Sequence, residues 1–482
     1  MERNELRYMV ELALDIMAID PAIHEAEVCA SWCEQQVVDL QHDSERPDEA
    51  APLLQSAQVC GLSVLLALTD GTGRRVGFGS DTDELSRDTI LTALENAKSS
   101  AVPDSRYIAL PQPVSPPSPP PVLHDPEVLT LADDAMMTLA GEALEGALST
   151  FKAAGYVTRL RIGGEVRSRK EHLVVANTHG LLAEETSTSL LASLYAHLTY
   201  EQSRGNGSHS ATHVQGFSPA DAGVAAAQHA LQARGGMTLT GGSYPVVFGP
   251  QAVADLLQDL LLPMLSLDTI TAGTNPFASR LGQQIASPLL TLADEGRLLG
   301  LIGSHAITGE GLPTGTTSLI DQGRLVGFLA DTYHAQTLGS RPGLMVPRNG
   351  MRYATDGRSF ATRPGIFPTN VTFASPDAMS LEALLAPIDA GIYVGGLWYT
   401  TPRGGLLTGD FTSTVIGPSF HIRQGKLAAP LQPGTLRLQE NIVEVLQRLT
   451  GLSTTRHPVV LATRQSVVLA PELRCSQAHF VA

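Results

Sequence analysis

The chain has 482 residues, a formal net charge of −16, 43% hydrophobic residues and 17% charged residues. That length exceeds what one hydrophobic core usually organises, so at least two domains are expected, and the composition is typical of a globular protein. The acidic balance argues against nucleic acid as a partner, because phosphate binding needs clustered lysine and arginine.

The amino-terminal segment predicts a surface helix and not a signal peptide, since acids and arginines interrupt its apolar residues. The apolar residues recur at helical spacing: Leu6, Met9, Val10, Ala13, Leu14 and Met17. No apolar run reaches the roughly 18 residues that span a bilayer, so no membrane partner is expected. Four cysteines without a Cys-x-x-Cys pair fit a reducing compartment. The sequence therefore predicts a cytoplasmic protein.

The first part of the chain predicts an α/β unit over residues 1–110. Residues 26–43 and 61–80 have strand composition, and Asp70–Gly73 between two apolar runs indicates a hairpin. A helical pattern follows at residues 82–100. The proline-rich residues 111–126 are the clearest predicted linker, because proline at this density gives an extended, semi-rigid spacer.

Residues 127–236 are predicted to complete the N-terminal domain. A helix is expected at about 130–154, and alternating apolar runs then predict two strands. Ser218 is expected to cap the next helix, which Gly235 and Gly236 close. Residues 237–482 contain mostly short strand patterns and glycine-rich turns. The predicted fold class is therefore α+β, with an N-terminal α/β part and a β-rich C-terminal domain.

Residues 250–265, PQAVADLLQDLLLPML, predict an amphipathic helix. Pro250 suits a first helical position, and Pro263 allows the helix to end or kink. The apolar stripe consists of Val253, Leu256, Leu257, Leu260, Leu261 and Met264. The other face carries Gln251, Asp255, Gln258 and Asp259.

Three motifs that resemble metal or phosphate sites are interpreted as ordinary structure. The His24-Glu25 pair has no second histidine one helical turn on, so it is read as an exposed strand start. His209 and His213 have helical spacing but stand in a segment of loop composition. The glycines around residue 73 are followed by a strand pattern rather than a helix, which favours a hairpin turn over a phosphate cradle.

Asp255 and Asp259, one helical turn apart, are a candidate acid/base pair, because burial can separate the pKa values of two carboxyl groups. A solvated helix face is the favoured alternative. Cys475 is predicted to lie in a strand.

Several segments, in order along nearly the whole chain, resemble the TldD/PmbA family. They are residues 61–83, 173–185, 244–257, 286–295, 303–339, 368–377 and 408–427. The resemblance implies that TldD-like members are zinc metallopeptidases, with His-Glu-x-x-x-His on a helix that follows a V-V-x-G-P turn. Counted from Val246, Val247, Gly249 and Pro250, that motif falls on Gln258, Asp259 and Pro263.

All three of these positions are changed, and the resemblance is closer to the TldE (PmbA) subunit, which lacks the zinc ligands. It implies no catalytic residue, no metal ligand and no cofactor on this chain, with zinc on a TldD-like partner. The family's third ligand resembles a cysteine near the carboxyl end, but that role is not assigned to Cys475.

Three functions stay open at this point. The first is a non-catalytic subunit of a heterodimeric peptidase that acts on unfolded or leader peptides. The second is a homodimeric scaffold that binds peptides without cleaving them. The third is an independent hydrolase, for which Asp255 or Asp259 would be required.

Overall fold

The computed structural model describes residues 3–46, 52–69, 73–82, 85–115, 121–339, 346–354, 357–461 and 465–482. Residues 70–72 of the predicted hairpin turn lie outside these ranges. The α-helices of the described residues are α1 (Arg3–Met17), α2 (Arg87–Ser99), α3 (Pro126–Leu129), α4 (Asp133–Ala153), α5 (Pro219–Gln232), α6 (Pro250–Leu256), α7 (Leu262–Met264), α8 (Leu267–Thr271), α9 (Thr332–Thr337), α10 (Leu381–Leu385) and α11 (Ile442–Gln447).

Strands dominate the second half of the chain, as the sequence predicts. They are β1 (Ile23–Asp43), β2 (Leu53–Thr69), β3 (Arg74–Asp81), β4 (Val102–Pro103), β5 (Leu160–Asn177), β6 (Leu182–Leu198), β7 (Ser203–Ala211), β8 (Gly242–Phe248), β9 (Thr291–Glu295), β10 (Thr316–Asp321), β11 (Arg324–Leu325), β12 (Gly350–Met351), β13 (Tyr353–Ala354), β14 (Gly357–Arg358), β15 (Gly365–Ile366), β16 (Asn370–Ala374), β17 (Ala390–Val394), β18 (Gly396–Pro402), β19 (Asp410–Ile416), β20 (Phe420–Arg423), β21 (Lys426–Pro430), β22 (Arg437–Asn441), β23 (Leu449–Leu452), β24 (His457–Val460), β25 (Val467–Ala470) and β26 (Leu473–Val481).

The N-terminal half is one seven-stranded antiparallel sheet of order β4-β3-β2-β1-β5-β6-β7. Helices α1 and α2 pack on one end of one face of this sheet, and α4 and α5 pack on the other end of the same face. Alternate residues of β1 fill the two cores: Val28 and Ala30 pack beneath α1 and α2, and Val38 and Leu40 beneath α4. Period-two alternation therefore leaves the intervening residues on the opposite face, toward the C-terminal half.

The C-terminal half contains a nine-stranded sheet, β18-β19-β22-β26-β8-β17-β20-β21 with β23 on β26, and a six-stranded sheet, β11-β10-β9-β16-β25-β24. One apolar core contains residues of both sheets and of the helix that begins at Pro250. Helix and strand are thus mixed, and the C-terminal half is β-rich, which confirms the predicted α+β class.

Two buried arginines of the C-terminal half meet carboxylates on the uncovered face of the N-terminal sheet. Arg352 pairs with Glu27, and the Nη1 atom of Arg358 lies 2.7 Å from the Oε1 atom of Glu185. All four side chains are at most 3% exposed. The two halves are therefore joined by ion pairs as well as by the apolar contact of Phe360 with the sheet.

One segment differs from its sequence-based interpretation. The residues before His209, read as a loop, form the edge strand β7, which pairs with β6. Gly205 and Gly207 belong there because α5 lies against them: a Cβ atom on either would stand 2.1–2.3 Å from a carbonyl oxygen of α5. Glycine in this strand marks close helix packing, which its loop-like composition concealed.

Two smaller expectations have different outcomes. Ser218 precedes α5 as predicted, but its side chain makes no capping hydrogen bond. His24 is exposed near the start of β1, as predicted.

No helix among the described residues is both long enough and apolar enough to cross a bilayer.

Candidate functional site

The helix that carries the predicted site follows directly from the central strand β8 of the nine-stranded sheet. Gly249 precedes it and Pro250 takes the first helical position, as the sequence predicts. Strand β8 lies between β17 and β26, so the start of the helix is fixed in the middle of the sheet. The predicted helix is confirmed, and it ends at Met264.

The helix widens into a π turn over Leu257–Leu261, where the N–H of Leu262 donates to the carbonyl of Leu257. Pro263 explains this geometry, because a proline has no N–H to donate and its ring clashes with the carbonyl four residues earlier. That carbonyl belongs to Asp259. The proline at the predicted second histidine position therefore changes the backbone of the same turn that carries Gln258 and Asp259.

The apolar stripe lies in the C-terminal core. Its six predicted residues are each at most 6% exposed. At roughly 1.5–3 kcal/mol for each buried side chain, the stripe alone gives the chain a reason to keep this helix.

Asp255 fastens the helix to β18. Its Oδ2 atom accepts a hydrogen bond from the backbone N–H of Leu397 at 2.8 Å, and its Oδ1 atom accepts one from Nε2 of Gln251 at 2.9 Å. Burial raises the pKa of Asp255 to about 6. The favoured sequence interpretation, a solvated face, is thus wrong for this carboxyl group, which is half-buried and has a structural contact.

Gln258 and Asp259 lie side by side on the π turn. The Nε2 atom of Gln258 donates to Oδ1 of Asp259 at 3.1 Å, and burial raises the pKa of Asp259. The negative charge of Asp259 also adds to the raised pKa of Asp255, because a nearby like charge disfavours ionisation.

Cys475 lies in β26, as predicted, opposite Val246 of β8. Its thiol contacts the carbonyls of Gln477 at 3.2 Å and Val445 at 3.8 Å. Burial raises the pKa of Cys475 to about 11, so the thiol is protonated near neutral pH. The thiolate is the form that binds metals, whereas this thiol is protonated and donates to backbone carbonyls.

These side chains do not fit zinc. Zinc sites use imidazole, thiolate and carboxylate ligands, whereas this turn offers one amide, one short carboxyl group and a proline. The amide and the carboxyl group are also engaged with each other. Among the residues that the structure describes, no cluster of three histidine, cysteine or acidic side chains has a metal-binding arrangement.

Trp398 and Tyr399, beside the Asp255 contact, were not identified from the sequence. Their ring centroids are 4.3 Å apart, and they are 57% and 68% exposed. Tyr399 has a positive φ of 53°, at the bulge where the pairing of β18 with β19 shifts. In the sequence they appear only as two adjacent aromatic residues in a glycine-rich segment. That pattern does not show whether the two rings are buried or exposed.

Glu185, His305 and Arg358 also escaped sequence analysis. They converge at the joint of the two halves, where Nδ1 of His305 lies 2.8 Å from Oε1 of Glu185. Burial opposes ionisation of Glu185, but the charge of Arg358, the contact with His305 and the hydrogen bond from the backbone N–H of Ile307 outweigh it and lower the pKa to about 2. No local pattern connects these three residues, which come from distant parts of the chain.

Comparison with known proteins identifies the class. Residues 241–481 match the family model of the PmbA/TldA metallopeptidase C-terminal domain. The chain belongs to the TldD/PmbA family.

Relatives named as proteases match only part of this chain. The Metalloprotease TldD homologs of Buchnera aphidicola and Haemophilus influenzae are 27% and 28% identical over 209 and 213 residues, 43% of this chain in each case. The chain spans about 40% of the length of these curated relatives.

The fold is that of TldE from Thermococcus kodakarensis, with a TM-score of 0.77. The alignment covers 99% of this chain and 100% of that one, at 20% sequence identity. The structural match therefore shows a shared fold, and a shared fold does not by itself determine activity.

Proposed function

We propose that this chain is the metal-free, TldE-like subunit of a two-chain peptidase, in which a TldD-like partner holds zinc and cleaves unfolded or leader peptides in the cytoplasm. The single observation that carries the proposal is the turn at Gln258, Asp259 and Pro263. The helix that would carry the family's metal site is present in this fold. At the aligned positions, however, it has an amide, a short carboxyl group and a proline, which do not fit zinc.

The remaining polar contacts of the helix support a structural role. The carboxyl group of Asp255 accepts a hydrogen bond from the backbone N–H of Leu397 in β18. A carboxyl group that holds a strand in this way is poorly placed to transfer a proton to or from a substrate. Among the described residues, the side chains of Asp255 and Asp259 accept hydrogen bonds only from two glutamine side chains and from the backbone N–H of Leu397. We therefore assign Asp255 and Asp259 a structural role in the subunit.

The test is peptide cleavage by purified proteins. The full chain is expressed alone and together with a TldD-like chain from the same genome, and each preparation is assayed on an unstructured peptide. The proposal predicts that the two chains co-purify and that cleavage requires both, is lost with a chelator, and survives Asp259→Asn in this chain. A control substitution, Glu→Gln in the partner's His-Glu-x-x-x-His motif, should abolish it.

The other outcomes separate the alternatives. A stable homodimer that binds the peptide without cleaving it, and ignores the TldD-like chain, would support a scaffold. Cleavage by this chain alone, insensitive to chelator and abolished by Asp255→Asn or Asp259→Asn, would show an independent hydrolase. Either result contradicts the proposal.

A further inference from the structure

Part of strand β2 forms an exposed edge of the N-terminal sheet. Strand β2 pairs with β1 over Leu53–Leu68, but β3 pairs with β2 only from Leu62 onward. Among the described residues, no strand therefore lies on the outer side of Leu53–Val59, which we call the open edge. Gln55–Val59 are all exposed, so both faces of the sheet are solvated there. This exposure leaves room for a further strand beside β2.

The direction of the main-chain groups alternates along β2. The N–H of Thr69 donates toward β1, to the carbonyl of Ala22 at 3.2 Å. Phe78 of β3, which lies opposite Leu65, directs both its N–H and its carbonyl away from β2, to the hydroxyl of Ser100. Both observations follow if the odd-numbered residues of β2 bond to β1 and the even-numbered residues face the other side.

The same alternation continues into the open edge, because β2 keeps a regular register with β1 from Ala67 to Leu53. The outward N–H and C=O groups of the open edge therefore belong to Leu54, Ser56 and Gln58. A row of such groups is a template on which another strand can form.

The open edge lacks the devices that usually protect the edge of a sheet, which are charged residues, prolines and bulges. The edge strands of the nine-stranded sheet have them: β18 contains a bulge and Pro402, and β21 contains Lys426 and Pro430. The open edge has the sequence LLQSAQV, without charge or proline, and its register with β1 is unbroken. It is therefore suited to strand addition.

Charge and size favour an extended peptide over a second copy of this chain. A net charge of −16 on each copy opposes self-association. A stable interface between folded proteins uses about 20–30 residues on each side, which is far more than the open edge offers. An added peptide strand needs only main-chain hydrogen bonds and a few side-chain contacts.

We propose that the open edge captures an extended, unfolded polypeptide segment, which pairs as an added strand with the outward groups of Leu54, Ser56 and Gln58. The side chains along the middle of the edge are uncharged, so capture depends on the main chain of the peptide more than on its sequence. Leu53 and Val59, which are 57% and 49% exposed, lie on one face and favour peptides with alternating apolar residues.

This inference does not rest on the proposed function, because it concerns this chain without a partner. Its test uses the full chain and two capped peptides of the sequence Lys-Thr-Val-Thr-Val-Thr-Val-Thr-Lys. The second peptide is methylated on two adjacent central backbone nitrogen atoms, which blocks both of its edges. Affinity is measured by fluorescence anisotropy, and hydrogen exchange at single-residue resolution locates the bound peptide.

The unmodified peptide should slow exchange at the amides of Leu54, Ser56 and Gln58, and the methylated peptide should bind about tenfold more weakly or less. Ser56→Pro removes one outward N–H and leaves the ladder with β1 intact, so it should weaken binding about tenfold or more. Ser56→Ala, which changes the side chain and keeps the N–H, is the matched control and should leave affinity unchanged.

Equal affinity for the two peptides, unchanged affinity of folded Ser56→Pro, or no slowed exchange at these three amides would overturn the inference. If Ser56→Pro does not fold, the comparison of the two peptides on the wild type decides. Slowed exchange at the same amides without peptide, rising with protein concentration, would assign the open edge to a second copy and also contradict the inference. Slowed exchange caused by a TldD-like chain alone would assign it to that subunit, with the same consequence.

Discussion

Arg358 of the C-terminal half and Glu185 of the N-terminal sheet form an ion pair of 2.7 Å between side chains that are 2% and 3% exposed. The two residues are separated by 173 positions in the chain. A buried pair of this kind need not stabilise the fold more than apolar residues would, but removing one member leaves the other charge uncompensated.

Arg358→Met should therefore destabilise the protein by about 3–5 kcal/mol. Urea or guanidinium unfolding, followed by circular dichroism, measures the loss. Adding Glu185→Gln should recover part of it, because the glutamine still accepts the backbone N–H bonds without carrying a charge. The exposed pair Arg7 and Glu11 provides the control: Arg7→Met should cost less than about 1 kcal/mol. Equal losses at the two pairs would contradict this account of the joint.

Acid should weaken the same joint. The pKa of Glu185 is lowered from 4.5 to about 2, so the stability it contributes is fully present above pH 4.5 and is lost as the pH falls toward 2. The shift corresponds to about 3 kcal/mol as an order of magnitude. Free energies of unfolding measured between pH 6 and pH 2 should fall less steeply for Glu185→Gln than for the wild type. Parallel curves would show that Glu185 is not the group responsible.

Asp255 should produce the opposite pH dependence. Its pKa is raised by burial from 3.8 to about 6, so the folded state binds the proton more tightly than the unfolded state does. The contribution is fully present below pH 3.8 and is lost as the pH rises to about 6. Asp255→Asn should remove this decline and retain the contact with Leu397, whereas Asp255→Ala should lose the contact. Stability measured from pH 4 to pH 8 compares the three proteins.

The apolar stripe of the helix that begins at Pro250 should stabilise the fold whatever the residues of its polar face do. Leu260 is fully buried, and Leu260→Ala should cost about 2–5 kcal/mol through lost burial and the cavity left behind. Leu91→Ala, at a helical leucine that is 39% exposed, is the control and should cost much less. Thermal and denaturant unfolding of both variants checks the difference. Similar losses would remove the packing explanation for why the helix is kept.

The helix at residues 250–264 could be predicted because its evidence is local. The repeat of apolar residues fixes which face is buried, and Pro250 marks where the helix begins. The family resemblance then aligned the family's metal-binding motif with Gln258, Asp259 and Pro263 of this helix. Sequence did not reveal the π turn, since the effect of Pro263 depends on how the core holds the helix on either side.

Other features depend on contacts between distant residues. The composition of residues 203–208 predicts a loop, whereas in the structure the glycines of this strand, β7, allow α5 to pack closely against it. The burial of Asp255 depends on Leu397, and the convergence of Glu185 with His305 depends on how the two halves meet. Local periodicity carries no information on either contact. The predicted domain boundaries at 110, 126 and 236 stay predictions.

The zinc content of the purified proteins tests the central claim most directly. After expression in zinc-supplemented medium, the full chain alone should contain far less than one zinc per chain, and its complex with a TldD-like chain should contain on the order of one per pair. Asp259→Asn in this chain should leave the content of the complex unchanged. One zinc per chain in the isolated protein, lost on substitution of Gln258 or Asp259, would contradict the account.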